Sequence, residues 1–112
     1  MVRMLTIDEF KKVEISAGTI RAAERVPETD KLLRLSVDFG EGEPRTIVSG
    51  IAAHVEDPAT LVGTQCLFVT NLEPRTIRGI ESNGMILALA GDDGVFSLVA
   101  PVRAVPPGTK AR

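Results

Sequence analysis

An all-β fold, a small five-stranded barrel with short helices and N- and C-terminal extensions, is predicted by three observations. Leu33, Leu35, Val37 and Phe39 alternate with Arg34, Ser36 and Asp38, the period-two pattern of a half-buried antiparallel strand. Further apolar runs of strand length, at residues 13–20, 46–48, 65–70 and 85–90, are separated by turn residues. A length of 112 residues suits one domain, 1–112, built on a single core.

Taken in order, Thr6-Ile7-Asp8-Glu9 has the form of a capping box, in which the Thr6 hydroxyl and the Glu9 carboxylate each satisfy a backbone N–H of a first helical turn. Leu5 and Phe10 fall where a hydrophobic staple would fix the chain's entry into that helix, which is too short to stand alone. Val13, Ile15 and Ala17 then alternate with polar neighbours, and Gly18 predicts a bulge or bend in a long first strand. After the second strand, Gly40-Glu41-Gly42-Glu43-Pro44 makes a turn into a third strand that ends near Ser49-Gly50. Asp57, Pro58 and Gly63 read as N-cap, first helical residue and C-terminal glycine of a one- or two-turn helix. Residues 65–70 and 85–90 form the fourth and fifth strands, joined by a connection over residues 71–84 that is longer than a tight hairpin needs, a length often put to functional use. Asp92-Asp93-Gly94 turns the chain into residues 95–100, and Pro101, Pro106, Pro107 and Gly108 make the tail irregular. Five main strands with a helix between the third and fourth is the plan of the OB-fold, a partly open Greek-key barrel; another small β-barrel is the rival.

An apolar fraction of 44% and a charged fraction of 25% fit a globular chain. No run approaches the length of a membrane span, and the N-terminus lacks the long apolar region of a signal peptide, so a cytoplasmic protein with no membrane partner is expected. Cys66, the lone cysteine, stands in an apolar run and reads as core. The net charge of −2 argues against a strongly basic nucleic-acid binder and confines any such site to a local patch. The last ten residues carry Arg103, Lys110 and Arg112 and no acid. With one histidine, one cysteine, no tyrosine and no tryptophan, catalytic and metal-binding sets are scarce. A pairing of Ser49 with His54 is conceivable, but a solvated loop histidine is the preferred reading. The glycines form no phosphate-binding fingerprint, and no cofactor is expected.

Four segments in this order carry a resemblance: Phe10-Lys11-Lys12-Val13-Glu14-Ile15; Asp30-Lys31-Leu32-Leu33-Arg34-Leu35; Val48-Ser49-Gly50-Ile51; and Asn71-Leu72-Glu73-Pro74-Arg75 continuing through Arg78-Gly79-Ile80-Glu81-Ser82-Asn83-Gly84-Met85. Over nearly its whole length the chain resembles the tRNA-binding domain that occurs as a free-standing protein and fused to the C-terminus of many methionyl-tRNA synthetases. The resemblance implies an OB-fold that grips the outer corner of tRNA by shape, usually as a homodimer, without catalysis. It implies RNA contacts at Asn71, Arg75, Arg78, Ser82 and Met85; Lys31 and Arg34 read, by their charge, as secondary phosphate contacts. The chemistry agrees: arginines reach phosphates, short polar groups reach a ribose or an unpaired base, and a methionine adapts to a base face. The phenylalanines, Phe10, Phe39, Phe68 and Phe96, all lie in apolar patterns and read as core, which favours recognition of folded RNA over stacking of a single strand.

Each residue also has a plainer reading. Arg75 and Arg78 would be solvated loop residues paired with Glu73 and Glu81; Ser82 would satisfy a turn, Met85 would pack in the core, Asn71 would end a strand, and Lys31 and Arg34 would keep a surface soluble. Relatives commonly place a lysine directly after the Pro-Arg pair, where this chain has Thr76, so weaker RNA affinity is expected, offset in part by dimerisation. The helix over residues 6–12 and the tail over residues 95–107 are expected to form the dimer. The initial methionine and compact ends favour a complete gene product, expected to partner a synthetase that lacks the domain. Two other functions share the fold: an export chaperone that binds unfolded polypeptide, and a module that only dimerises or docks on an enzyme.

Overall fold

Eleven consecutive residues, Ile15–Arg25, extend as strand β1, to which the rest of the barrel is paired directly or through a neighbour. The structure is a computed structural model and describes residues 3–112. A four-residue helix α1 (Ile7–Phe10) precedes β1. After β1 come β2 (Leu33–Asp38), β3 (Arg45–Ser49), 3-10 turns at Ala52–His54 and Pro58–Leu61, and β4 (Gln65–Val69). Short strands follow: β5 (Arg75–Ile77), β6 (Ile80–Ser82), β7 (Met85–Ile86), β8 (Ala88–Ala90) and β9 (Phe96–Leu98).

The main sheet runs β3-β2-β1-β4-β7, with every neighbouring pair antiparallel. Residues 19–25 of β1 face β2 while residues 15–19 face β4, so one bent strand serves both walls. The expected irregularity is present, but it lies between Ile20 and Ala22 and not at Gly18. Gly18 answers to packing instead: a Cβ there would stand 2.5 Å from Val37 Cγ1, 2.6 Å from Phe39 Cε1 and 3.0 Å from Phe68 Cε1. Closure comes at β3, where the Asn83 N–H donates to the Thr46 carbonyl and the Val48 N–H donates to Ser82 Oγ, each at 2.9 Å. The result is a nearly closed five-stranded antiparallel barrel of the OB type.

Alternation in β2 sends Leu33, Leu35 and Val37 inward, where with Ile20, Ile47 and Phe68 they are fully buried. Phe39 meets Phe68 edge-on at 5.2 Å, and Cys66 lies in the same core, where burial pushes its thiol pKa up. Phe10 departs from the core reading: it is 46% exposed on a helix that buries no residue. Phe96 is half-buried, packing against the core on one side with its ring stacked on the exposed His54 imidazole at 4.3 Å. Met85, the first residue of β7, is also 46% exposed, so the core-packing reading of that side chain does not hold.

Three local predictions have their expected geometry. Thr6 and Glu9 exchange both bonds of the capping box. Asp57 caps the Pro58–Leu61 turn through the Ala59 N–H, and Gly63 follows at φ +87°. The long connection and the fifth strand differ from expectation. Residues 71–84 contain the β5–β6 hairpin, and the fifth strand breaks after Ile86, where β8 leaves β4 to pair with β9. The irregular tail returns along the free edge of β1, with Ala17, Gly108 and Ala111 N–H groups donating to the carbonyls of Thr109, Ala17 and Ile15 at 2.8 Å. Gln65 fastens it by bonding both backbone groups of Val105.

Candidate functional site

The β5–β6 hairpin turns through two residues, Arg78 at φ +53° and Gly79 at φ +78°, between the paired Ile77 and Ile80. Positive φ at both central residues is what a two-residue hairpin loop matched to strand twist requires. Glycine meets that demand without strain; an arginine does so at a conformational cost. Arg75 pairs with Ser82 and Thr76 with Glu81, so Thr76 and Glu81 occupy one face of the ribbon while Ile77, Ile80 and Ser82 occupy the other. Ser82 is buried, and its hydroxyl is the acceptor that ties the hairpin to β3.

The structure places the sequence-predicted residues in different settings. Arg75 and Arg78 are exposed, and no ion pair among the described residues includes either, so the expected pairing with Glu73 and Glu81 does not form. Asn71 is engaged within the protein: its Oδ1 accepts from the Glu14 N–H at 2.9 Å and its Nδ2 donates to the Lys12 carbonyl at 2.6 Å. This amide fixes the segment after α1 to the end of β4, just before the hairpin. Arg34 projects from the outer face of β2 into an open groove of about 650 Å³ between the β2–β3 turn and the hairpin. Lys31 is exposed just before β2, its carbonyl accepting from the Ala52 N–H.

The groove also holds residues that sequence reasoning missed: Glu43, Thr46, Ile80, Glu81 and Asn83. The signal for them was an apolar pair, Ile77 and Ile80, flanking a two-residue Arg-Gly step, the spacing of a hairpin without its usual Asn-Gly or Asp-Gly. At one end of the groove Arg45 binds Glu41 through Nε and Nη2, each at 2.8 Å, donates from Nη1 to the Thr70 carbonyl at 2.7 Å and lies over the Phe39 ring. The guanidinium holds the Glu41 carboxyl below the usual range, and the carboxylate raises Arg45 in turn. Arg45 is therefore committed to the fold.

A polar cluster stands behind the groove. Thr70 Oγ1 donates to Glu14 Oε1 at 2.7 Å and is 3.1 Å from Ser16 Oγ, while Lys110 Nζ donates to Glu14 Oε2 at 3.2 Å. The Thr70 hydrogen bond and then Lys110 hold the Glu14 carboxyl below its ordinary value. Elsewhere, His54 stacks on Phe96 and makes no hydrogen bond to Ser49 among the described residues. No helix among those residues is long and apolar enough to cross a membrane.

Comparison with known proteins agrees with this geometry. Residues 15–110, from the first residue of β1 to the tail lysine that pairs with Glu14, match the family model described as "Putative tRNA binding domain". The chain is 54% identical over 109 residues to a methionine–tRNA ligase of Methanoregula boonei and 45% identical over 108 residues to one of Bacteroides fragilis. Those matches cover 97% and 96% of this chain but span only 16% of each ligase. Among solved structures, a MetRS-related protein from Pyrococcus horikoshii superposes with a TM-score of 0.91 at 38% identity, covering 99% of this chain and 100% of that one. The chaperone CsaA from Bacillus anthracis superposes at 0.86 and 28% identity, covering 98% of this chain and 100% of that one. On the family match and these identities, the chain belongs to the tRNA-binding domain family related to methionyl-tRNA synthetase.

Proposed function

We propose that this chain binds tRNA largely by shape and without catalysis, as a cytoplasmic homodimer that delivers tRNA to a methionyl-tRNA synthetase. The observation that carries the reading is the pair of exposed arginines, Arg75 and Arg78, which enter no ion pair among the described residues, on a hairpin fastened to the barrel by a buried bond. A guanidinium with no carboxylate partner is free to make charge-assisted bonds to phosphate, and a preformed hairpin spares the cost of ordering it. Met85 supplies an apolar contact at the foot of the hairpin, and Arg34 and Lys31 extend the cationic surface along the approach to β2. Asn71 and Ser82 serve the same site by holding its strands in place. A chain of net charge −2 that binds through so local a patch depends on the fit of that patch to a folded RNA. The exposed Leu5, Ile7, Phe10 and Val13 around α1, and Leu89, Val95 and Val102 near the β8–β9 hairpin, support the homodimer.

A second reading, capture of unfolded polypeptide, draws on the likeness to CsaA and on the same exposed apolar residues. Competition separates the two. Bulk tRNA is expected to displace labelled tRNA from the protein while unstructured RNA and a permanently unfolded polypeptide do not; displacement by the polypeptide at equal concentration would favour the chaperone. Sedimentation at micromolar concentration is expected to give twice the chain mass, and a monomer would remove the homodimer from the proposal.

A further inference from the structure

We infer that the groove between the β2–β3 turn and the β5–β6 hairpin receives one unpaired guanine base of the bound RNA. The inference rests on the tRNA-binding reading and adds a base to it. Arg45 and Glu41 satisfy each other, so the groups left to meet a ligand are Arg34, Glu43, Glu81 and Asn83, with Ile80 as the apolar wall. The Glu81 carboxylate is in no ion pair among the described residues, and its cross-strand neighbour is Thr76, which carries no charge to claim it. Asn83 Nδ2 contacts Glu81 Oε1 at 3.4 Å, both residues line the groove, and Glu81 Oε2 and Asn83 Oδ1 remain as acceptors.

Two carboxylates repel phosphate, so the RNA backbone stays outside, toward Arg75 and Arg78 of the hairpin, and a base enters the groove. Acceptors on the wall select for donors on the ligand. Adenine and cytosine offer a single exocyclic amine, uracil a single ring N–H; guanine alone offers an adjacent ring N–H and exocyclic amine that a carboxylate accepts together. Ile80, half-buried, also lines the groove and adds apolar surface to it.

Amide ¹⁵N–¹H spectra of the full chain, titrated separately with GMP, AMP, CMP and UMP, test this. GMP is expected to move the amides of residues 79–83 and Thr46 at roughly tenfold lower concentration than the others, the discrimination of one good paired contact. Glu81→Gln, close in shape, removes that preference, and Thr76→Lys removes it too by pairing the carboxylate across the hairpin while raising affinity for bulk tRNA. Equal response to all four nucleotides, no response at millimolar GMP, or a Glu81→Gln protein that binds all four more tightly and alike, as simple repulsion predicts, would overturn the inference. Selective tRNA binding that persists without a GMP preference contradicts the guanine site alone; absence of tRNA binding contradicts the reading beneath it.

Discussion

At Gly18 the width of the barrel is set by a missing methyl group. A Cβ there would meet Val37, Phe39 and Phe68 inside van der Waals contact, and Val37 and Phe68 are fully buried with nowhere to move. Gly18→Ala is expected to cost about 1–3 kcal/mol, the usual penalty for overpacking a core, read as a lower urea midpoint at unchanged slope. The sequence marked this glycine as special and assigned the wrong cause, because a period-two pattern reports which way a residue faces and nothing about the wall opposite. Asn71 and Ser82 also have partners that no local pattern reports. Their side chains suit RNA contact by type, but the Glu14 N–H, the Lys12 carbonyl and the Val48 N–H that occupy them lie 57, 59 and 34 residues away. Arg75, Arg78 and Met85 are exposed, and no ion pair among the described residues engages either arginine.

β1 to β4 were legible as strands, β2 by clear alternation and β3 and β4 as short apolar runs between turns, and so were the capping box and the Asp57 cap, because local pattern and tertiary packing agree there. The β5–β6 hairpin was not, since its turn places an arginine where pattern rules look for Asn or Gly. That arginine makes fold and function separable. Arg78→Gly relieves the left-handed strain and loses a phosphate contact, so stability is expected to stay level or rise by up to about 1 kcal/mol while tRNA affinity falls. Thermal melts and a tRNA titration on the same preparation check both; a destabilised variant would show that the Arg78 side chain holds the hairpin together. The break of the fifth strand after Ile86 was likewise invisible, because a residue run says nothing about when a strand changes partner.

Across the whole molecule, Glu14 connects the ends: it bonds Thr70 at the close of β4 and Lys110 in the tail, and the Asn71 amide holds its backbone. Its carboxyl pKa is depressed in the folded state, so its contribution to stability is complete above the unfolded value of about 4.3 and is lost as pH falls through the lower folded value. Glu14→Gln is expected to be less stable than the native chain at neutral pH and to show a flatter decline over that acid window; parallel curves would contradict the assignment. The tail and barrel thus hold together at the pH where RNA carries full charge, with the hairpin arginines in no ion pair among the described residues. The measurement that bears most directly on that arrangement is a titration of bulk tRNA with the native chain and with Arg75→Ala/Arg78→Ala across a range of salt. Binding selective for tRNA over unstructured RNA is expected, with the salt slope reduced by roughly one unit per arginine and affinity lost in the double variant. An unchanged slope and affinity in the double variant would contradict the placement of the RNA site at the hairpin.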